Sequence, residues 1–496
     1  MDQRPLRLID TCAFEGREAG PNDLRDVCLV DTPSPAPDYL TLSHCWGGKL
    51  RDSQKTMESN LASRMQRIKV KALPRSFQDA IEITRNLGYR YLWIDALCIV
   101  QDSVANWAAE ARKMGGIYFN SVATIAAETS KDNEGGVFNS KSWTSASSIL
   151  KDVIQMDEWK EAGKRSTMFV WDPSLPRLSH VGRPLHLLHS SALSNRGWVF
   201  QERLLSPRTI HYTQSQILWE CRTYYAAEDG LPATMMGKAD TLPSLPLNLA
   251  GISNTPIDVL DTWYYDVVSH DYSRRNFTIP ADRLIAISGV ANLFHTFCRK
   301  YKYLAGLWDY RLGWGLSWYV NLPAPPPAHP RKPTWSWASH DSPVAWRRCE
   351  GHAIPYLVPD LTLRRTDVGT SGGKQDPFGP ITSSKLQVSG LVCVACAACD
   401  SGRYTIKRTS GGDLGAEVRF DYSFSAGFNV YCLFICSIYT GFNDGCAVLL
   451  LRKLTVPNHY ERVGVAFFTK LRSQHFESTF HKWRRADGQS KSITIV

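Results

Sequence analysis

A carboxylate placed one helical turn after a tryptophan is the spacing in this chain that most suggests chemistry. The stretch Asn195–Arg208 reads Asn-Arg-Gly-Trp-Val-Phe-Gln-Glu-Arg-Leu-Leu-Ser-Pro-Arg. As a helix from about Trp198, it turns Phe200, Leu204 and the Trp198 ring toward a core and puts Glu202 on a neighbouring face. A carboxylate desolvated against a large aromatic has a raised pKa, which is one way to build a catalytic acid. The alternative is a helix-start carboxylate paired with Arg196 or Arg203. Ser43, His44 and Trp46 form a second group, in Tyr39-Leu-Thr-Leu-Ser-His-Cys-Trp-Gly-Gly48. Tyr39 to Ser43 fits a strand, and Gly47-Gly48 forces a turn. Ends of such strands are where α/β proteins place ligands. His44 and Cys45 are adjacent, so on a strand they point to opposite faces and cannot make a Cys–His nucleophile pair. Asp95 closes the apolar strand Tyr89–Asp95, where it serves a site or caps the next turn.

Other chemistries lack their patterns. Cys393-x-x-Cys396-x-x-Cys399 alternates faces on a strand, so the three thiols cannot converge on a metal. The sequence holds no His-Glu-x-x-His, no Walker pattern and no strand–GxGxxG–helix, and its Gly-x-Ser-x-Gly match at Gly369–Gly373 falls in a Gly/Pro/Ser loop rather than a nucleophile elbow. No metal and no resident cofactor are expected. The formal charge of +10 permits contact with nucleic acid but comes from scattered basic residues. With no zinc-finger or basic-zipper spacing, no nucleic-acid partner is expected. No apolar run approaches the roughly 18 residues of a membrane span. Met-Asp-Gln-Arg-Pro at the start has no signal-peptide character. The 13 cysteines then read as reduced thiols of a cytoplasmic chain.

The elements that must position these groups alternate. Strand-like Tyr39–Ser43 is followed by an amphipathic helix Leu73–Leu87. Pro74 suits its first position, Phe77, Ala80, Ile81, Thr84 and Leu87 form its apolar stripe, and Gly88 stops it. Then come the strand ending at Asp95, a helix Val104–Tyr118 capped by Asp102 or Ser103, and a strand Val122–Ala127. This order predicts a mostly parallel sheet with helices on both faces. Residues 129–194 read as an insertion with a short strand at Thr167–Trp171. Further strands are expected at Thr209–Tyr212 and Gln216–Cys221, and helices at Ile257–Ser269 and Leu284–Tyr301. Asn321–Pro333, with six prolines, reads as a linker, and Thr334–Ser339 as a strand. From Lys385 onward, short β-branched segments predict a mainly β region.

Three stretches together resemble the fungal heterokaryon incompatibility (HET) domain. They are Tyr39 to Gly47, Leu73 to Asp102 with its Leu-Trp-Ile-Asp-Ala-Leu-Cys-Ile core, and Arg196 to Arg208. The resemblance covers about 39–225. Pro280-Ala-Asp-Arg-Leu, Tyr303–Trp308 and Thr334-Trp-Ser-Trp-Ala-Ser339 are similar to the region that often follows the domain. His44 stands where the family more often has an aromatic, usually Tyr. The resemblance implies a lead-in (1–38), the HET domain (39–225), a helical extension (226–320), a linker region (321–380) and a β-rich end (381–496). It also implies fungal non-self recognition, in which such proteins trigger growth arrest or programmed cell death through self-association and protein partners.

The family is in turn similar to TIR domains, which implies a TIR-like, flavodoxin-like α/β fold. In TIR domains with NAD glycohydrolase activity, a helix opens with a Trp followed four residues later by the catalytic Glu. Trp198 and Glu202 match that spacing. On this alternative, NAD is the substrate and Glu202 the catalytic carboxylate. The residues expected to contact substrate are Ser43, His44, Trp46, Gly47, Asp95, Arg196, Trp198 and Gln201. Trp46 would stack on a ring, and Arg196 or Arg203 would meet a phosphate.

Overall fold

The computed structural model describes residues 4–14, 25–48, 50–138, 154–161, 164–170, 188, 191–214, 217–222, 225–228, 256–326, 333–347, 356–359, 361–371, 373, 376–400, 403–424, 427–439, 443–471 and 484–496. These fall into two compact units, Met1–Gly251 and Ile252–Val496.

The first unit is built on an eight-stranded mixed sheet. Its strands are β1 (Arg7–Asp10), β2 (Cys28–Asp31), β3 (Tyr39–Ser43), β4 (Tyr91–Trp93), β5 (Ala123–Ala127), and then β8 (Arg208–Tyr212), β9 (Ile217–Cys221) and β10 (Tyr225–Ala227). Between β5 and β8, the strands β6 (Ile154–Glu161) and β7 (Lys164–Val170) form a separate hairpin. It falls where a strand was expected at Thr167–Trp171, of which Trp171 lies outside the described residues. The sheet order is β10-β9-β8-β5-β3-β4-β1-β2. Its centre is parallel: β3 pairs with both β4 and β5, and β5 pairs with β8. The outer strands β1, β2, β9 and β10 are antiparallel. In chain order, the four parallel strands are arranged second, first, third, fourth. The chain therefore reverses direction across the sheet after β4.

The crossovers are α2 (Arg75–Asn86), following the short α1 (Leu61–Gln66), and α4 (Val104–Phe119), following α3 (Asp95–Cys98). The third carries α5 (Gly197–Leu205). Because α2 and α4 cross in opposite directions, right-handed connections put them on opposite faces. Side-chain alternation along β3 agrees. Tyr39 donates from its hydroxyl to Ile117 O on α4 at 2.6 Å, whereas His44 packs edge-on against Phe77 of α2 at 5.1 Å. Odd positions of β3 thus face α4, and even positions face α2.

The apolar stripe of α2 is buried at Phe77, Ala80, Ile81 and Thr84, but Leu87 is 46% exposed. The helix has ended by then, and Gly88, at φ +79, turns the chain away. The α4 stripe buries Ala111, Met114 and Tyr118 and leaves Trp107 half-buried. Ser103 precedes the helix without a side-chain cap, and Asp102 accepts from Glu58 N at 2.9 Å instead.

In the second unit, Pro256–Asp261 runs into a π-helical turn Thr262–Asp271. The following helix is Ser288–Phe297, shorter than the expected Leu284–Tyr301. Pro280–Arg283 forms a 3-10 turn ahead of it. Thr334–Ser339 is not a strand: Trp337–Ser339 is a 3-10 turn whose Ser336 hydroxyl accepts from Ala338 N. Its indoles are anchors, with Trp337 Nε1 donating to Gly306 O at 2.9 Å and Trp335 Nε1 to Ser384 O at 3.1 Å. Both rings are fully buried. The remainder is mainly β. Ile381–Asp400 pairs with Gln489–Ile495 and with Phe428–Tyr439, and the pairings continue through Asn443–Lys453 and His459–Leu471 to close on themselves. Cys393, Cys396 and Cys399 all lie on the Ile381–Asp400 strand.

Candidate functional site

The helix α5 begins where Arg196 is still extended, at ψ 139. It ends at Ser206 because the following Pro207 disfavours helical geometry there. A hydroxyl chain ties this end to the sheet. Thr41 and Thr124 hydrogen bond at 2.7 Å, Thr124 and Ser206 at 2.5 Å, and Ser206 Oγ donates to Glu202 O at 2.6 Å. The register of α5 against β3 and β5 is thereby fixed, and the Glu202 carboxyl is directed at the end of β3.

Ser43, the last residue of β3, donates from Oγ to Glu202 Oε2 at 2.5 Å. Tyr118 of α4 also hydrogen bonds to Glu202. Its hydroxyl lies 3.3 Å from Leu42 O as well. Glu202 is 6% exposed, and burial pushes its pKa up to about 7. The Ser43 and Tyr118 hydrogen bonds and the charge of Arg196 act the other way, and the charge of Asp95 adds to the rise. Of the two sequence alternatives for Glu202, the pairing with Arg203 is not formed. Arg203 is bound to Glu220, Nε to Oε2 at 2.7 Å. One residue further round the helix, it faces β9 rather than β3.

Beside this carboxyl, Asp95 opens α3. Its Oδ2 accepts from Trp46 Nε1 at 2.9 Å and its Oδ1 from Ala96 N at 2.6 Å. The His44 ring stands 3.6 Å from Asp95 Oδ1 through Nε2. Burial and the Arg196 charge lower the His44 pKa, against the pull of Asp95. Arg196 donates from Nη1 to His44 O at 3.1 Å and hydrogen bonds to the Cys45 thiol. Cys45 itself packs with Ala126, Leu193 and Val199, on the other side of the strand from His44. Ser43, His44, Trp46, Asp95, Arg196 and Glu202 therefore converge at the C-terminal ends of β3 and β4.

Three expected contact residues are placed differently. Gly47 has φ +72, and a Cβ there would stand 2.3 Å from Asp132 Cβ, so a side chain is excluded by the loop after β5. That loop is held by Asn133, whose Nδ2 donates to Trp46 O at 3.3 Å. Trp198 packs edge-on against Trp107 of α4 at 6.4 Å. Gln201 is fully buried on α5. The core contact expected of Leu204 is taken by Leu205, which is 3% exposed. Leu204 is half-buried.

Sequence reasoning missed Tyr118 as a partner of Glu202, having read it only as part of an apolar stripe. It also missed a second buried cluster. His211 of β8 bridges Glu128 and Glu220, Nδ1 to Oε1 and Nε2 to Oε2, each at 2.8 Å. Ser191 donates to Glu128. The two carboxylates raise the His211 pKa against its burial. They are themselves held low, Glu128 by His211 and Ser191, Glu220 by Arg203 and His211. Among the described residues, no group of three or more His, Cys, Asp or Glu side chains is arranged to hold a metal ion. No helix among them is long and apolar enough to cross a membrane.

Residues 39–202 match the family model described as heterokaryon incompatibility protein (HET). No curated protein and no solved structure matches the chain.

Proposed function

Because residues 39–202 are a heterokaryon incompatibility domain, we propose that the domain is a TIR-like glycohydrolase of NAD whose Glu202 is the catalytic carboxylate. Loss of NAD in the cytoplasm is then the route to the growth arrest or cell death of an incompatibility response. The observation that carries this reading is the Ser43–Glu202 hydrogen bond at the C-terminal edge of the parallel strands. The second-first-third-fourth order of those strands is that of a flavodoxin-like sheet. Such sheets bind ligands where the order reverses, here between β3 and β5.

The chemistry fits the groups. Nicotinamide in NAD is a cationic leaving group, so its departure needs no proton. Positive charge develops at the ribose anomeric carbon, and a carboxylate beside it stabilises the oxocarbenium-like state. A carboxyl pushed up to about 7 titrates near working pH. Trp46 supplies an aromatic face and Arg196 a cation for phosphate.

A second reading has one observation in its favour. Glu202 is only 6% exposed, a closed state that suits a domain signalling through self-association and protein partners without turnover. Incubating the purified chain with NAD and following nicotinamide release separates the two. The wild type is expected to release nicotinamide, and Glu202→Gln to lose at least about 100-fold in rate. A toxic wild type with no turnover at high protein concentration overturns the enzymatic reading.

A further inference from the structure

Hydrolysis also needs a base for the attacking water, and the His44–Asp95 contact has the geometry for one. Such a base has a role only if the domain is a glycohydrolase. The His44 side chain is 2% exposed, and its Nε2 has no hydrogen-bond partner. The ring's hydrogen bond to the Leu42 backbone fixes a proton on the other nitrogen. In the neutral ring Nε2 is therefore a lone pair, and it faces Asp95 Oδ1 at 3.6 Å. Two lone pairs so placed repel unless a proton lies between them. Asp95 is fixed from its other sides by Trp46 Nε1 and Ala96 N. Yet its side chain keeps 23% of its surface exposed, next to the buried Glu202.

We propose that Asp95 is the base that takes the proton of the attacking water, with His44 as a positioning residue that shares that proton. In the step, the water oxygen bonds to the ribose anomeric carbon. The carbon–nitrogen bond breaks, its electron pair goes to the ring nitrogen, and nicotinamide leaves neutral. The water proton passes to Asp95 and is held between Asp95 and His44 until solvent removes it. Glu202 stabilises the cationic state throughout. The charged and titratable groups around the pair are Arg196 ahead of α5, Glu202 on α5, Tyr118 on α4 and Cys98 on α3. The face of α2 against His44 presents the uncharged Phe77.

The test follows nicotinamide release against pH for wild type, Asp95→Asn and His44→Gln, with nitrogen NMR of the His44 ring in parallel. Asp95→Asn is expected to lower kcat about 100-fold at little change in KM. His44→Gln is expected to lower kcat about 10-fold, again at little change in KM. A purely structural His44 lowers stability without this split between kcat and KM. Wild-type kcat in Asp95→Asn overturns the proposal. If the wild type releases no nicotinamide, the glycohydrolase reading falls, and NMR judges the pair alone. A lower His44 pKa in Asp95→Asn shows the shared proton, and an unchanged one overturns it.

Discussion

Glu202 and Glu128 are both sealed inside the first unit, 6% and 5% exposed, and burial drives both toward the neutral form. Around Glu128 the drive is reversed, because His211 binds it directly and Arg203 adds positive charge. The same cation pair holds Glu220 low. Around Glu202 the direct partners are the Ser43 and Tyr118 hydroxyls, with Arg196 acting through its charge and Asp95 opposing it. Hydrogen bonds from neutral donors do not repay the desolvation of a charge, whereas a contacting cation does. One cluster is thus a fixed set of charges that pins α5 through Arg203 to β8 and β9. The other holds a carboxyl poised to change charge near neutrality.

The sharpest way to break this contrast is to remove the central cation. His211→Leu leaves Glu128 and Glu220 facing an apolar side chain, and the expected cost is about 3–5 kcal/mol in chemical denaturation. Glu202→Gln removes a group that is costly to ionise where it sits, and it should cost less than about 1 kcal/mol. Equal costs for the two would mean that the clusters do not differ in kind.

The pH dependence of stability separates them next. Glu202 has a folded value of about 7 against an ordinary 4.5, so the folded chain holds this proton more tightly. Its contribution is fully present below about 4.5, declines as pH rises to about 7 and is flat above. The full excursion is about 3 kcal/mol. His211 is raised by its carboxylates. Its contribution is complete below its unfolded value of about 6.5 and is lost as pH climbs through the folded value. Glu128 and Glu220 are lowered, so theirs is lost in acid, as pH falls below the ordinary carboxylate range. Denaturation midpoints of wild type and Glu202→Gln between pH 4.5 and 7 should therefore diverge, with wild type losing the additional stability. Parallel curves would show that Glu202 is ionised throughout.

How much of this was legible in the sequence follows the same division. The strand–helix alternation and the Trp198–Glu202 spacing are local patterns, and they led to the β3 end, Asp95 and α5. Ser43 and Glu202 are 159 positions apart, and their meeting was suggested by resemblance rather than by periodicity. The Glu128–His211–Glu220 cluster was not legible. Its members read as the end of one strand and unremarkable positions in two others, and the parallel pairing of β5 with β8 and the antiparallel pairing of β8 with β9 bring them together. Tyr118 was hidden for a related reason, since a buried tyrosine on an apolar stripe reads as packing. Thr334–Ser339 failed differently. Its aromatic and β-branched composition predicts a strand, but two indoles that each need a carbonyl partner hold it in a turn.

The smallest expected effect is also the most direct comparison, because each cluster has one serine that donates to its glutamate. Ser43 is the first influence holding Glu202 down against burial. Ser43→Ala deletes a hydrogen bond worth about 1–1.5 kcal/mol to a charged acceptor. It should move the acid limb of nicotinamide release upward by up to about 1 pH unit, with little change in the plateau rate. Ser191→Ala makes the same chemical change at Glu128, where His211 is the leading influence opposing burial. Glu128 takes no part in the reaction, so the acid limb should stay in place. A limb that moves equally in both variants would place the kinetic titration outside Glu202, and a limb that moves in neither would mean that Ser43 supports the fold but not the charge.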